Sequence, residues 1–301
     1  MDSFFLFGDY RKAIFQSHAN FALNRYLNPL WQALSPTNVC SDLEIGGERL
    51  ILIVDGRPSP LLRFCVLNSL AMTGFRYRCI VYTDSSSVGA MKALFVDITD
   101  FVEVFDLASF GIAKLTRVAY NKLLKLPQFW NAVPATSVLL TQPDALLIEP
   151  LPDDFFKYDY IGAPWSPQRV FSVAFPKYAP GELGDYSQAW LNMVMNPGLS
   201  LPIRVGNGGH SIRSVRYMIA ISSKGGSAEN EPEDVFYARN SESYSGCFPS
   251  DFEAGRFSCE TSYSFAYGSH ASHLYLEACY QSEIYERHIK HLAGLYSANC
   301  V

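Results

Sequence analysis

The feature that most constrains this chain is a set of continuous apolar runs, each closed by an acid or a turn signal and separated by helical stretches. RLILIV, ending at Val54, runs into Asp55, Gly56, Arg57 and Pro58. RCIVYT ends against Asp84, VEVFDL follows, and SVLLTQPDALLI (137–148) is interrupted by Gln142, Pro143 and Asp144. Strands without alternation are buried on both faces, which is the habit of a parallel sheet. Between them lie LLRFCVLNSLAMTG, MKALF and RVAYNKLLKLPQFWNAV (117–133), each a predicted helix. This alternation predicts βαβ units and a central, mainly parallel sheet flanked by helices. Ligands of such sheets bind beyond the carboxyl ends of the strands. Asp55, Arg57, Asp84 and Asp144 all fall there and become candidates together.

The rest of the chain is less regular. Ala13–Leu34 shows helical spacing with Pro29 inside, which is expected to break or kink it. Residues 1–48 are therefore expected to form a helical N-terminal extension. The main domain spans 49–301, with a first half at 49–150 and a second at 151–301. Residues 166–204 are rich in Pro, Gly and aromatics, and Trp165, Phe171, Phe175, Tyr178 and Trp190 suit stacking against a flat sugar face and core packing equally well. SIRSVRYMIAISS (211–223) reads as a helix whose start would point N–H groups at an anion. HIKH, with His288 and His291, reads as a solvated helix face.

Composition excludes some classes. The chain has 301 residues, a net charge of −5 and seven cysteines with no CxxC pair. That balance argues against a nucleic-acid binder, and the odd, scattered cysteines argue for free thiols rather than a disulfide framework or a zinc site. MDSFFLFGDYRK lacks a basic n-region, and no apolar run reaches membrane-spanning length. A cytoplasmic protein without a membrane span is expected, with peripheral membrane contact left open. No GxGxxG opens a helix after the first strand and no GxxxxGK[ST] is present.

Four motifs carry candidate chemistry. They are Gln142-Pro143-Asp144, Gly206-Asn207-Gly208-Gly209, Pro232-Glu233-Asp234-Val235-Phe236, and Tyr267-Gly268-Ser269-His270 followed by His273. Taken singly, each has a plain structural reading: a turn, a hairpin, a helix cap, a structural histidine. Their order is more specific. With IVDGRP, FW (129–130), YDYIGAPW (158–165) and RFS (256–258), it resembles GT-A glycosyltransferases, and within them a little-studied microbial family with QTD, GAPW, NGG and PEDVF motifs. The resemblance covers about residues 49–273.

The resemblance implies a GT-A fold, a Rossmann-like nucleotide-diphospho-sugar transferase architecture. It implies transfer from a nucleotide-sugar, a UDP-sugar among the expected donors, to a hydroxyl of a glycan or glycoconjugate. Asp144 and His270 would hold a divalent metal, Mn²⁺ or Mg²⁺, with Gln142 where the first Asp of a DxD motif would stand; His270 would otherwise donate to the pyrophosphate. Asp234 would be the general base of an inverting displacement, and Glu233 would bind or orient the acceptor. Asp55, Arg57 and Asp84 would line the nucleoside pocket. From charge and position, Arg117 and Lys122 are expected to reach the diphosphate. Gly208 and Gly209 are expected to let the backbone approach donor and acceptor where a Cβ would clash. A non-catalytic nucleotide- or glycan-binding module is the alternative. A nucleotide-sugar pyrophosphorylase would want a Gly-rich basic loop after the first strand, which DGRPSP does not supply.

Overall fold

The computed structural model describes residues 2–34, 48–165, 206–226 and 231–300. The aromatic candidates Phe171, Phe175, Tyr178 and Trp190 lie outside the described residues. A six-stranded sheet holds β1 (Arg49–Val54), β2 (Arg78–Thr83), β3 (Val102–Asp106), β4 (Ser137–Thr141), β6 (Tyr160–Gly162) and β7 (His210–Ser214). The order across it is β3-β2-β1-β4-β7-β6. The first four strands are parallel, and β7 runs antiparallel to both β4 and β6. A small second sheet joins β5 (Ala145–Leu147), β8 (Ser258–Cys259) and β9 (Gly268–His270) in the order β5-β9-β8.

The apolar runs become buried strands, with Leu50, Ile51, Leu52 and Ile53 at 2% exposure or less. Helix α3 (Pro60–Met72) opens with Ser59 accepting from the Leu62 N–H and Pro60 in the first turn, where no amide proton is needed. Helices α4 (Val88–Leu94), α5 (Arg117–Leu124) and α6 (Pro127–Ala132) complete the crossovers. From β1 the chain steps outward to β2 and β3, then returns to place β4 on the other side of β1. The crevice between the carboxyl ends of β1 and β4 is therefore a topological switch point, the place where such sheets bind ligands.

Several local expectations are corrected. The stretch 137–148 is not one strand: β4 stops at Thr141, Gln142–Asp144 turn, and β5 enters the second sheet. The stretch 117–133 is two helices, because Pro127 starts α6 after α5 has ended. Residues His210–Ser214 are a strand rather than a helix start, recruited between β4 and β6, and helix α7 (Val215–Ser222) begins only after Ser214 caps it. No anion-binding helix terminus therefore follows the glycines. Pro29 does not break its helix. Between α1 (Asp2–Ala22) and α2 (Asn28–Leu34) a π-helical turn spans Leu23–Leu27, and Pro29 falls in the first turn of α2.

The second half adds α8 (Glu233–Arg239), α9 (Asp251–Phe257), α10 (Ser272–Tyr275) and the long α11 (Ala278–Cys300). Helix α1 packs on α3, α10 and α11. His288 is fully buried there rather than solvated: its Nδ1 lies 2.9 Å from His18 Nε2 and its Nε2 lies 2.8 Å from Asn68 Nδ2. Among the described residues no helix is long and apolar enough to cross a membrane.

Candidate functional site

At the β1 edge, the buried Asp55 carboxylate accepts from the Arg57 N–H at 2.7 Å and from its guanidinium at 2.7 and 3.1 Å. The Arg57 side chain is nonetheless 80% exposed and feels the charge of Asp144 across the crevice. Asp84, after β2, accepts from Ser86 Oγ at 2.7 Å and from the Leu115 N–H at 3.2 Å. Burial opposes its ionisation, but these donors win and hold it below the usual carboxylate range. Both acids thus organise loops at the crevice, and Arg57 is the group of the three most open to a ligand.

At the β4 edge, the turn presents Gln142 and Asp144. Register brings His270 to them, since Ala145 pairs with His270 across β5 and β9 and the Ala271 N–H donates to the Asp144 carbonyl. Ala271 has φ +48, an unfavourable left-handed conformation for a residue with a Cβ, held beside the site. Gln142 Oε1 and Asp144 Oδ1 lie 3.3 and 3.5 Å from His270 Nε2, while Glu260 Oε1 lies 3.3 Å from its Nδ1. Burial alone would keep this imidazole neutral; the flanking Asp144 and Glu260 outweigh it and raise its pKa to about 10. Reciprocally, His270 overcomes the burial of Asp144 and brings it to about 2. His273, offered by sequence as a neighbouring histidine, instead stacks on Phe15 and is lowered to about 4 by burial.

On the other side stands the acidic pair of α8. Both Glu233 oxygens are taken by Arg213, at 2.6 and 2.9 Å, in a pair sealed from solvent. Glu233 is thus held by Arg213 and presents little carboxylate surface toward an acceptor. Asp234 is partly exposed and, among the described residues, accepts only backbone N–H groups, from Gly208 at 3.2 Å and Val235 at 2.8 Å. Desolvation and the adjacent Glu233 outweigh those donors and Arg213, and raise it to about 7.

The glycines join the two halves, and their reason differs from the expected one. A Cβ on Gly208 would lie 2.3 Å from Glu233 Oε1, and one on Gly209 would lie 2.0 Å from His270 Nε2. The missing side chains make room for the protein's own acid and imidazole. Helix α5 closes the gap: Gln142 Nε2 donates to Tyr120 Oη at 2.9 Å, and the Glu233 N–H donates to Asn121 Oδ1 at 3.3 Å. Arg117 and Lys122 are both exposed on α5; Arg117, one turn before Tyr120 and Asn121 on the same helix face, acts with Asp144 and Glu260 on the charge at Tyr275. Tyr120, Asn121, Arg213 and Glu260 were missed by motif reading. Sequence spacing offered no signal for Tyr120 and Asn121 beyond their place one turn after Arg117 on the same face of α5.

Among the described residues no three His, Cys, Asp or Glu side chains form a metal cage. A hard divalent ion that keeps its waters and takes substrate phosphates needs only one or two carboxylates. Asp144, with the Gln142 oxygen and His270 Nε2 beside it and Glu260 backing the ring, fits that looser demand once His270 gives up its proton.

A family model described as a protein of unknown function, DUF5672, matches residues 107–274, more than half of the chain. No curated protein matches. The matched span contains Gln142, Asp144, Gly208, Gly209, Glu233, Asp234 and His270, and leaves out Asp55, Arg57 and Asp84.

Proposed function

The chain belongs to the DUF5672 family, and we propose that it is a GT-A glycosyltransferase moving a sugar from a nucleotide-sugar to a glycan or glycoconjugate hydroxyl with inversion. One observation carries the reading. A partly exposed carboxylate with a pKa near 7, Asp234, and a carboxylate–imidazole cluster, Asp144–His270–Glu260, sit on consecutive glycines of one turn at the sheet's switch point. Base on one side and charge-handling groups on the other are what displacement at an anomeric carbon requires.

In this mechanism Asp234 removes the acceptor hydroxyl proton as the new C–O bond forms. The anomeric bond to the diphosphate breaks and the leaving oxygen keeps the electron pair. Its pKa suits a base at neutral pH, where proton affinity and ionised fraction are both appreciable. Arg57 would meet the diphosphate charge, and His270 would do so in its protonated form when no metal is bound. Asp144 and His270 would hold Mn²⁺ or Mg²⁺, which when bound supplies Lewis-acid stabilisation of the phosphate oxygens.

The locked Glu233 and the amide at Gln142 favour a second reading, a module that binds the nucleotide or glycan without turnover. The test is a thermal-shift and hydrolysis panel of UDP-, GDP-, dTDP- and CMP-sugars, with and without Mn²⁺. Stabilisation by one nucleotide together with slow release of its sugar supports the transferase. Stabilisation without release supports the nucleotide-binding module, and no response to any nucleotide removes both that module and the transferase and leaves the glycan-binding form.

A further inference from the structure

Arg213 has no part in the mechanism above, yet it is among the largest fully buried side chains of the protein. Its guanidinium grips Glu233 with two bonds, donates from Nη2 to the Gly208 carbonyl at 3.1 Å, and donates from Nε to Ser211 Oγ at 2.9 Å. Ser211 Oγ in turn donates to the same Gly208 carbonyl at 3.1 Å. The guanidinium lies 5.1 Å from the centre of the Tyr160 ring. A buried ion pair of this kind is poor evidence for stability, because well-packed apolar replacements commonly do as well. Its bonds instead converge on the two residues that frame Asp234: Glu233 beside it in sequence and Gly208, whose N–H it accepts.

We propose that Arg213 is a positioning residue for Asp234, cancelling the charge of Glu233 and pinning the Gly208 turn so that Asp234 is the member of the acidic pair free to exchange a proton. The role of Asp234 as base is taken from the proposed function; the electrostatic claim is tested separately from it. The groups facing Asp234 are few. Glu233 comes from its own helix, Arg213 from β7, Tyr160 from β6 and Tyr120 from α5, with the amides of Gly208 and Val235. Burial holds both tyrosines neutral far above the working range. The charges that set the proton affinity of Asp234 are therefore Glu233, which raises it, and Arg213, which lowers it.

The geometry demands shifts of opposite sign from the two partners. The experiment is a carbon-13 titration of the full chain labelled at Asp carboxyls, with Asp234 assigned by its loss in Asp234→Asn. Glu233→Gln keeps the shape and leaves the arginine charge, so the Asp234 midpoint falls, by about one pH unit or more for charges at this range. Arg213→Gln leaves the Glu233 charge bare, so the midpoint rises by a similar amount. Arg213→Lys restores the charge and returns the midpoint toward wild type. A merely structural arginine would lower stability in each variant without this pattern. Midpoints moving the same way in the first two variants, or an unshifted midpoint in Glu233→Gln, overturn the proposal; the second result stands even where Arg213→Gln fails to fold. No sugar donor enters this titration, so its failure and the failure of the transferase reading are distinct results.

Discussion

At the scale of single residues, the glycines separate two reasons for lacking a side chain. Gly209 abuts His270 Nε2, so Gly209→Ala must push the imidazole away from Asp144 and Glu260. A cost of about 1–3 kcal/mol is expected, as for other overpacked sites, with a matching loss of any metal-assisted turnover. Gly294 lies exposed in α11 with nothing within 4 Å of its would-be Cβ. Gly294→Ala is expected to stabilise by about 0.5–1 kcal/mol through lower unfolded-state entropy. Urea unfolding of both variants checks the contrast; equal effects would mean that the contact at His270 does not constrain the turn.

At the scale of elements, α5 is the piece that ties the two halves of the site together. Thr116 caps it by accepting the Ala119 N–H at 3.1 Å, and the helix carries Tyr120 to Gln142 and Asn121 to α8. Thr116→Ala is expected to cost about 1 kcal/mol and to reduce turnover as well, measured by denaturation and by donor hydrolysis side by side. Elements such as β1 and α3 were legible in sequence because each announces itself locally, β1 by an unbroken apolar run and α3 by the helical stretch LLRFCVLNSLAMTG after the turn signals. Strand β7 was not, since its residues are buried on both faces and its identity depends on pairing with β4 and β6. The β4–β5 break hid in the same way: Pro143 and Asp144 read as an interruption, whereas they mark the passage between two sheets. The acids and His270 were legible as motif letters. Their partners were not, because Arg213–Glu233, Gln142–Tyr120 and His270–Glu260 are set by tertiary register rather than by spacing along the chain.

At the scale of the whole molecule, histidines govern the response to acid. His18 is lowered to about 4, His273 to about 4 and His210 to about 3, each by burial, and His288 is lowered by burial and by His18. The unfolded chain binds protons that these sites refuse, so their contribution is present above about pH 6.5 and is lost as pH falls through 6.5 toward 4. Asp234 runs the other way: its pKa is raised to about 7, so its contribution is present in acid and is lost as pH rises from about 4 to 7. Four histidines against one carboxylate predict a falling Tm between pH 6.5 and 4, read by calorimetry, and a shallower fall in His288→Gln. A flat Tm across that window would contradict the buried, neutral His18–His288 contact that docks α1 onto α11. The measurement closest to the central claim is nucleotide-sugar turnover by the wild-type chain beside Asp234→Asn. The account predicts that one donor of the panel is consumed by the wild type. It predicts that the variant still binds that donor with the same thermal shift, and that transfer drops by about 10² or more. Turnover that survives in Asp234→Asn would remove Asp234 as the base and, with it, the mechanism built on this turn.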